Sequence, residues 1–399
     1  MNPVTIEERI PSLDVLRGIA VLGILLMNIQ AFGLISAAYM NPFAYGDISG
    51  GNYWAWTISH VLADSKFLAI FSLLFGAGMV LFAERGDRKG KPTVKLFIRR
   101  SAWLLVIGLL HAYLFWSGDI LVTYALLSFV WFWVRNWSPK RLFSYGLQFL
   151  AFTFLINMFL GNTVLYYLVS NEEQEYLKMV EQWMPNLTMI EQELQIYRGN
   201  WFEQMPLRVK QSFNMQTTIL FFYSIWNVSG WMLVGMGLYK WGYLSAIKKT
   251  RTYLLMMLLL IPGFAIIVFG VDQQFGHSWT MEYSMFQGKQ FNFLGSILVV
   301  FGYIGAIMLW MKNDVFNLGK RILAATGRMA LTNYLMQTLI CTTIFYGHGF
   351  GLFGSLERTS LLHITLGIWL FQLTFSFFWL KKYTYGPMEW VWRKLTYKW

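Results

Sequence analysis

The chain has 399 residues, of which 56% are hydrophobic, 19% aromatic and only 13% charged. Soluble domains carry about 25% charged residues, so this composition excludes an ordinary soluble protein and a disordered chain. With 19 Trp, 21 Tyr and 34 Phe, the apolar surface is that of a protein that crosses a membrane several times. The single cysteine, Cys341, excludes an intrachain disulfide and a cysteine-rich metal site.

Ten apolar segments follow one another along the chain, and most of them are long enough to span about 30 Å of hydrocarbon as a helix. They cover residues 15–35, 67–83, 102–116, 119–134, 142–170, 216–239, 252–271, 291–311, 325–346 and 361–380. The sequence therefore predicts an all-α fold, a polytopic membrane bundle of about ten transmembrane helices that forms one domain over residues 1–399.

Positive charges are distributed unevenly among the connecting segments. With the N-terminus inside, the inner segments hold 25 of the 32 Lys and Arg residues and the outer segments hold 7. By the positive-inside rule this bias predicts that both termini lie in the cytosol. The net charge of +12 is thus a topology signal, and no nucleic-acid partner is expected.

Two segments lie outside the predicted spans. Residues 171–215 form the longest outer segment, with Pro206 as one of its predicted breaks. Apolar residues at helical spacing favour an amphipathic helix on the outer face, although a simple connection between two spans stays open. Residues 384–399 mix tryptophan with cations, which is typical of a cytosolic interfacial tail, and Pro387 predicts the start of a short helix there.

The first span carries polar residues along one face. Asp14 and Arg17 are i, i+3 partners at its predicted inner end, and Asn28 lies three turns further on, about 16 Å along the axis. Polar groups inside a membrane are costly and therefore mark candidate sites. The alternative is that Asp14 caps the helix beside an arginine that follows the positive-inside rule.

A histidine and an aspartate flank the turn between the third and fourth spans. His111 approaches the outer end of the third span, and Asp119 begins the fourth after the Ser117-Gly118 turn. The turn places both side chains at one depth, where a carboxylate would orient an imidazole that acts as a general base. The alternative is structural: Asp119 only caps its helix, and His111 forms a hydrogen bond to a neighbouring helix.

Further polar residues occur near the second and ninth spans. His60 and Lys66 precede the second span, and Asn333 and Gln337 share a face of the ninth, with Arg328 near its inner end. Such a face lines either a cavity or a hydrogen-bonded seam between helices, and the seam is the commoner case. No histidine pair at ligand spacing is present, so no metal is expected.

Several short motifs resemble those of the YeiB-like bacterial membrane proteins. They are Leu13-Asp-Val-Leu-Arg-Gly18, Lys66-Phe67, Phe75-Gly-Ala-Gly78, Gly108-Leu-Leu-His111, Gly118-Asp-Ile-Leu121, Gly327-Arg-Met-Ala-Leu-Thr-Asn-Tyr334 and Gly386-Pro-Met-Glu-Trp390. That family distantly resembles the transmembrane acyltransferases of the heparan-glucosaminide acetyltransferase kind, whose first span also opens with Asp-x-x-Arg-Gly. The resemblance implies a helical fold that passes an acyl group from cytosolic acyl-CoA to an acceptor on the far side. It also implies a catalytic histidine near the outer face, a role open to His60 or His111.

The leading hypothesis is therefore a trans-bilayer acyltransferase, and residues are assigned to its steps. His111 would be the base and Asp119 its orienting partner. Donor-binding residues would be Asp14, Arg17, Arg99, Arg100 and Arg328, and acyl-CoA is the expected donor. Substrate-binding residues would be Asn28, His60, Lys66, Tyr124, Asn333 and Gln337, with Asn28 or Tyr124 donating to the oxyanion.

Other functions and partners stay open. The runner-up is a transporter or flippase for a small solute or a lipid, and a non-catalytic scaffold is the third alternative. The expected partners are membrane lipids and an acyl acceptor, which would be a glycan, a lipid or a small molecule. A homodimer is an open alternative to a monomer.

Overall fold

The computed structural model describes residues 9–169 and 173–397, and this part of the chain contains helices and no strand. The helices are α1 (Pro11–Gly33), α2 (Ser36–Met40), α3 (Gly50–Leu62), α4 (Lys66–Arg88), α5 (Thr93–Leu114), α6 (Leu121–Trp131), α7 (Pro139–Val169), α8 (Glu173–Trp183), α9 (Leu187–Arg198), α10 (Trp201–Asn214), α11 (Ile225–Lys240), α12 (Thr250–Leu258), α13 (Leu260–Gly276), α14 (Met281–Tyr283), α15 (Lys289–Lys312), α16 (Asn317–Arg328), α17 (Ala330–Phe345), α18 (Arg358–Lys382) and α19 (Pro387–Tyr397). Wider π-type turns, Met215–Ser224 and Ser284–Gly288, join α10 to α11 and α14 to α15.

Seven helical segments within the described residues are long and apolar enough to cross a membrane. They are Pro11–Gly33, Gly50–Arg88, Pro139–Thr163, Trp201–Lys240, Thr250–Gly276, Met281–Lys312 and Arg358–Lys382. The protein is thus an all-α polytopic membrane bundle, as the sequence predicts. The three other apolar windows of the sequence fall on shorter or more polar helices, α5, α6 and the α16–α17 pair.

The window 325–346 is divided between two helices, which differs from the single span predicted there. Helix α16 ends at Arg328 and α17 begins at Ala330. Beside this division α16 crosses α1 closely, and a Cβ atom on Gly327 would lie 1.9 Å from the Asp14 carbonyl oxygen. Similarly, a Cβ atom on Gly18 would lie 2.1 Å from the Leu323 carbonyl oxygen. This backbone contact brings Arg328 close to the start of α1.

The outer segment folds into three helices. Tyr176, Met179 and Trp183 of α8 pack with Trp56 and Trp279 in one apolar cluster, as expected of an amphipathic helix. Helix α10 continues without a break through the π-type turn into α11, and together they form the spanning segment Trp201–Lys240.

The break predicted at Pro206 is wrong, because this proline lies inside α10. The helix start is stabilised by a capping box, in which the Asn200 side chain accepts from the Glu203 amide and the Glu203 carboxylate accepts from the Asn200 amide.

The C-terminal tail is the helix α19, and Pro387 is its first residue, as predicted. This helix is docked onto the bundle: the Trp392 indole donates to the carbonyl oxygen of Arg100 on α5 at 2.8 Å. Glu389 of this helix accepts hydrogen bonds from the amide and the hydroxyl of Thr332 on α17. Helix α19 therefore closes one side of the site described next.

Candidate functional site

A cavity of about 400 Å³ opens at the end of the bundle where α1 and α5 begin and α4 and α16 end. Pockets that bind small molecules have similar volumes, about 300–1,000 Å³. Eight cationic side chains line it, and we call them the basic mouth: Arg9, Arg17, Arg85, Lys89, Lys91, Arg100, Arg328 and Arg393. Only two carboxyl groups, those of Asp14 and Glu389, are among the described lining residues. The opening is therefore suited to an anion.

The predicted pair at the start of α1 is present in the mouth. Arg17 Nη1 donates to Asp14 Oδ1 at 2.9 Å, and Arg9 Nη1 lies 3.8 Å from Asp14 Oδ2. The Gly18–Gly327 crossing brings Arg328 to the same opening, where its Nη2 donates to the Thr384 carbonyl oxygen at 3.3 Å. Asp14, Arg17 and Arg328 thus lie together, although they come from opposite ends of the sequence.

Arg100 lies in the mouth, but Arg99 does not. The Arg100 guanidinium stacks on Trp392, with its Cζ atom 3.5 Å from the ring centroid. Arg99 lines a separate shallow groove beside Lys95. Adjacent residues on a helix point about 100° apart, so the expectation that both arginines converge on one ligand is wrong. Arg9 and Arg393 line the mouth instead.

Glu389 joins α19 to the first turn of α17 beside the mouth. Its two oxygens accept from the Thr332 amide at 3.0 Å and from the Thr332 hydroxyl at 2.5 Å. A carboxylate at a helix N-terminus is stabilised by the free amides there. Burial raises the pKa of the Glu389 carboxyl, whereas the bonds from Thr332 act in the opposite direction. This contact fixes the helix that forms one wall of the cavity.

The deep end of the cavity is lined by two tyrosines and by the start of α6. The Tyr124 hydroxyl lies 2.9 Å from the Ser72 hydroxyl, and Tyr334 accepts from the Ile120 amide at 3.4 Å. Phe71, Phe75 and Leu104 form apolar walls on the way there. The structure therefore brings Tyr124 to this cavity.

Asn28 does not reach this cavity. Along α1 the cavity wall ends at Ile24, and Asn28 lies one turn beyond it, half-buried. The expectation that Asn28 lines the channel is wrong, because the cavity turns away from α1 toward α6 and α17.

His111 and Asp119 form the pair that the sequence predicts, and a third residue joins them. His111 Nδ1 lies 2.6 Å from Asp119 Oδ2, and His111 Nε2 lies 2.9 Å from the hydroxyl of Thr338 on α17. Asp119 Oδ1 also accepts from the Val122 amide at 2.8 Å, so the carboxylate both caps α6 and holds the imidazole. The His111 and Asp119 side chains are only 4% and 1% exposed.

The histidine lies behind the deep wall of the cavity. The ring of Tyr334, which lines the cavity, is 5.3 Å from the imidazole ring of His111. Thr338 follows Tyr334 by one helical turn. A rotation of the Tyr334 side chain would therefore connect the cavity with the His111 ring.

Asn333 and Gln337 form the hydrogen-bonded seam that was the alternative for this face. Asn333 Nδ2 donates to Ser376 at 3.0 Å, and Gln337 Nε2 donates to Gln372 at 3.0 Å and to the Val21 carbonyl oxygen at 2.9 Å. Both side chains thus join α17 to α18, and Gln337 also joins it to α1. The structure does not bring these two predicted substrate-binding residues to the cavity, because neither lines it and their amides are used between helices.

His60 and Lys66 lie in a second buried cluster, away from the cavity. Lys66 is fully buried, and its Nζ donates to Asn292 Oδ1 at 2.6 Å and to the His60 carbonyl oxygen at 3.0 Å. Asp64 Oδ2 accepts from Asn292 at 2.9 Å and lies 3.1 Å from His60 Nδ1. The structure therefore does not bring His60 or Lys66 to the site that holds His111.

Comparison with known proteins shows the family. "Uncharacterized protein YeiB" of Escherichia coli (strain K12) is 35% identical over 398 residues, which cover 98% of this chain and 96% of the relative. The chain belongs to the YeiB-like family. "Uncharacterized protein YxaH" of Bacillus subtilis (strain 168) is 30% identical and covers 100% of this chain and 96% of its own length. The profile described as "Protein of unknown function (DUF418)" matches residues 238–398, and no solved structure matches.

Four residues of this YeiB-like chain were not predicted as site residues, although they lie in the His111 cluster, in the His60–Lys66 cluster or at the cavity. They are Thr338, Tyr334, Glu389 and Asn292. Threonine and asparagine are common in membrane helices as bridging groups, so residue type alone gave little signal. Tyr334 ends the motif that begins at Gly327, and Thr338 follows it by one turn, so helical spacing from that motif was the available signal.

Proposed function

We propose that the protein is an acyltransferase of the bacterial inner membrane that uses cytosolic acyl-CoA as donor. The observation that carries this proposal is the cavity that extends from the basic mouth to Tyr334, whose ring contacts the His111 ring. The acceptor is a hydroxyl or amine on the far side of the membrane. This assignment uses the predicted orientation, with the basic mouth in the cytosol.

The donor end of the cavity matches the chemistry of a CoA thioester. Guanidinium groups form paired hydrogen bonds with phosphate oxygens. Six arginines line the basic mouth: Arg9, Arg17, Arg85, Arg100, Arg328 and Arg393. Arg100 and His111 are eleven residues apart on α5, about 16 Å by helical rise, which is on the order of the length of a pantetheine arm. The nucleotide therefore stays at the mouth while the acyl group reaches the deep end.

The catalytic end provides a base and a hydrogen-bond donor. His111 takes the proton of the attacking nucleophile, and Asp119 holds the ring in position and stabilises the imidazolium. Tyr124 lines the cavity beside this pair and donates to the oxyanion that develops on the thioester carbonyl. Helix α10 covers the other side, where Arg208 donates to the Leu114 carbonyl oxygen at 3.0 Å. The acceptor enters from that side.

Binding of the donor tests the proposal directly. Acetyl-, octanoyl- or palmitoyl-CoA should raise the melting temperature of the detergent-solubilised protein. Arg17→Ala and Arg100→Ala should each weaken the binding about tenfold, since a charge-assisted hydrogen bond contributes about 1.5–3 kcal/mol. Arg99→Ala is the matched control and should keep the wild-type shift. If none of these thioesters shifts the wild type at millimolar concentration, the donor is not a CoA thioester and the transporter becomes the better proposal.

Labelling of cysteines tests the orientation on which the proposal depends. In a Cys341→Ala background, Glu191→Cys on α9 should react in whole cells with a reagent that does not cross membranes. Arg88→Cys, at the end of α4 beside the basic mouth, should react only after the cells are opened. The reverse pattern would put the mouth outside the cell, where acyl-CoA is absent, and would rule the proposal out.

A further inference from the structure

We infer that Thr338 is the nucleophile of the reaction and carries the acyl group as an ester between donor and acceptor. The inference rests on the proposed function and goes beyond it, because a direct transfer to the acceptor needs no such residue. It starts from the third contact of the histidine, the 2.9 Å distance between His111 Nε2 and the Thr338 hydroxyl.

The direction of this hydrogen bond follows from the other side of the ring. An ionised carboxylate only accepts hydrogen bonds, so Asp119 requires that the proton of the neutral imidazole lies on Nδ1. Nε2 is then the acceptor, and the Thr338 hydroxyl must donate to it. Hydrolases activate their serine in the same arrangement. The serine hydroxyl donates to a histidine, and the histidine donates to a buried carboxylate.

Three separate elements build this arrangement. His111 comes from the last turn of α5, Asp119 from the turn before α6, and Thr338 from the middle of α17. Asp119 is held by the Val122 amide at 2.8 Å, and all three side chains are nearly fully buried. Side chains held in this way stay in position during a reaction, which is a requirement for covalent catalysis.

The chemical steps balance without any further reactant. Thr338 Oγ1 attacks the thioester carbonyl carbon, and its proton moves to His111 Nε2. The carbon–sulfur bond breaks, the CoA thiolate takes that proton and leaves as the thiol, and an ester remains on Thr338. The acceptor hydroxyl or amine then gives its proton to Nε2 and attacks the ester carbon. Thr338 Oγ1 leaves and takes the proton back from the imidazolium.

A covalent carrier suits the position of Thr338. Tyr334 separates it from the cavity, and α17 and α5 shield it from water, so the ester would be protected from hydrolysis. Tyr334 must turn aside for the first step and can return after CoA leaves. Donor and acceptor then never need to occupy the site together, which allows them to approach from opposite faces.

Intact-mass measurement tests the intermediate. The purified protein is incubated with acetyl-, octanoyl- or palmitoyl-CoA in detergent without an acceptor. The wild type and Thr338→Ser should gain the mass of the acyl group in a form that hydroxylamine removes, whereas Thr338→Val should gain none. Thr342→Val is the matched control, because Thr342 is a buried threonine one turn further along α17 that bonds to the Leu339 carbonyl oxygen. It should label like the wild type.

A second readout separates this inference from the proposed function. Thr338→Val should keep the melting-temperature shift with acyl-CoA while CoA release falls on the order of a hundredfold or more. If Thr338→Val releases CoA at the wild-type rate, or if the wild type transfers without labelling, Thr338 is not the nucleophile although the acyltransferase stands. If the wild type shows neither a shift nor CoA release, the acyltransferase itself is wrong.

Discussion

Two histidines of this chain each pair with an aspartate, and their surroundings differ in charge. His111 Nδ1 lies 2.6 Å from Asp119 Oδ2, and the neutral Val122 amide donates to the other oxygen of that carboxylate. His60 lies 3.1 Å from Asp64. Asn292 joins this aspartate to the Lys66 ammonium group, because its amide donates to Asp64 and accepts from Lys66. The first pair thus carries a net negative charge when its imidazole is neutral, whereas in the second cluster Lys66 balances the charge of Asp64 and Lys289 also acts on it.

This difference decides which histidine is suited to accept a proton. In a low-dielectric interior, a proton on His111 produces a neutral ion pair with Asp119, which is favourable. A proton on His60 would leave a buried net positive charge. His60 Nε2 is in addition buried without a hydrogen-bond partner, and the ring stacks on Trp56 with centroids 4.8 Å apart. Under the proposed function these surroundings suit His111 to the role of the base, and His60 has the surroundings of a structural residue.

The largest expected effect is on catalysis at the first pair. His111→Ala should lower acyl-CoA-dependent CoA release by about 10²–10⁴-fold, because a general base contributes that much. His60→Ala should change the rate per folded molecule by less than about threefold, a change under 1 kcal/mol. Both variants are purified in detergent and compared at equal amounts of monodisperse protein. A larger loss at His60 than at His111 would reverse the comparison.

The next effect is on stability at the second cluster. Lys66→Met removes a fully buried ammonium group, leaves the Asn292 oxygen without its donor and takes a positive charge away from the half-buried Asp64, which should cost about 1–3 kcal/mol. We expect a large drop in folded yield and in the melting temperature. Adding Asp64→Asn should recover part of the loss, since the amide is uncharged. Lys95→Met, at an exposed lysine of α5, is the control and should behave like the wild type. An equally stable Lys66→Met protein would show that the cluster is not structural.

The sequence predicts local features of this molecule better than distant ones. The Asp14–Arg17 and His111–Asp119 pairs were predictable because each lies within one helix or across one short turn, where spacing determines distance. The apolar windows likewise predict the helices, because lipid allows few other structures to cross it. The close crossing of Gly327 with α1 beside the division of the ninth window was not predictable, since it joins distant parts of the chain.

Contacts between distant parts of the chain determine the rest of the site. Thr338 is 227 positions from His111, and Asn292 is 226 from Lys66, so no spacing rule relates them. Arg99 and Arg100 are alike in sequence, and only the docking of Trp392 on Arg100 shows which one lines the mouth. Polar residues in membrane helices therefore mark candidate positions, while helix packing decides between a cavity and a seam.

The smallest expected effect tests the hydroxyl of Tyr124 at the deep end of the cavity. Tyr124→Phe removes one buried hydrogen bond, to Ser72, and should destabilise the protein by about 1 kcal/mol. If the hydroxyl also donates to the oxyanion, CoA release should fall further, by about 10²-fold, while the melting-temperature shift with acyl-CoA stays unchanged. Ser72→Ala is the matched control, because it breaks the same hydrogen bond but leaves the phenol. Equal rates for the two variants would remove Tyr124 from the chemistry and leave it as packing against Phe71 and Phe75.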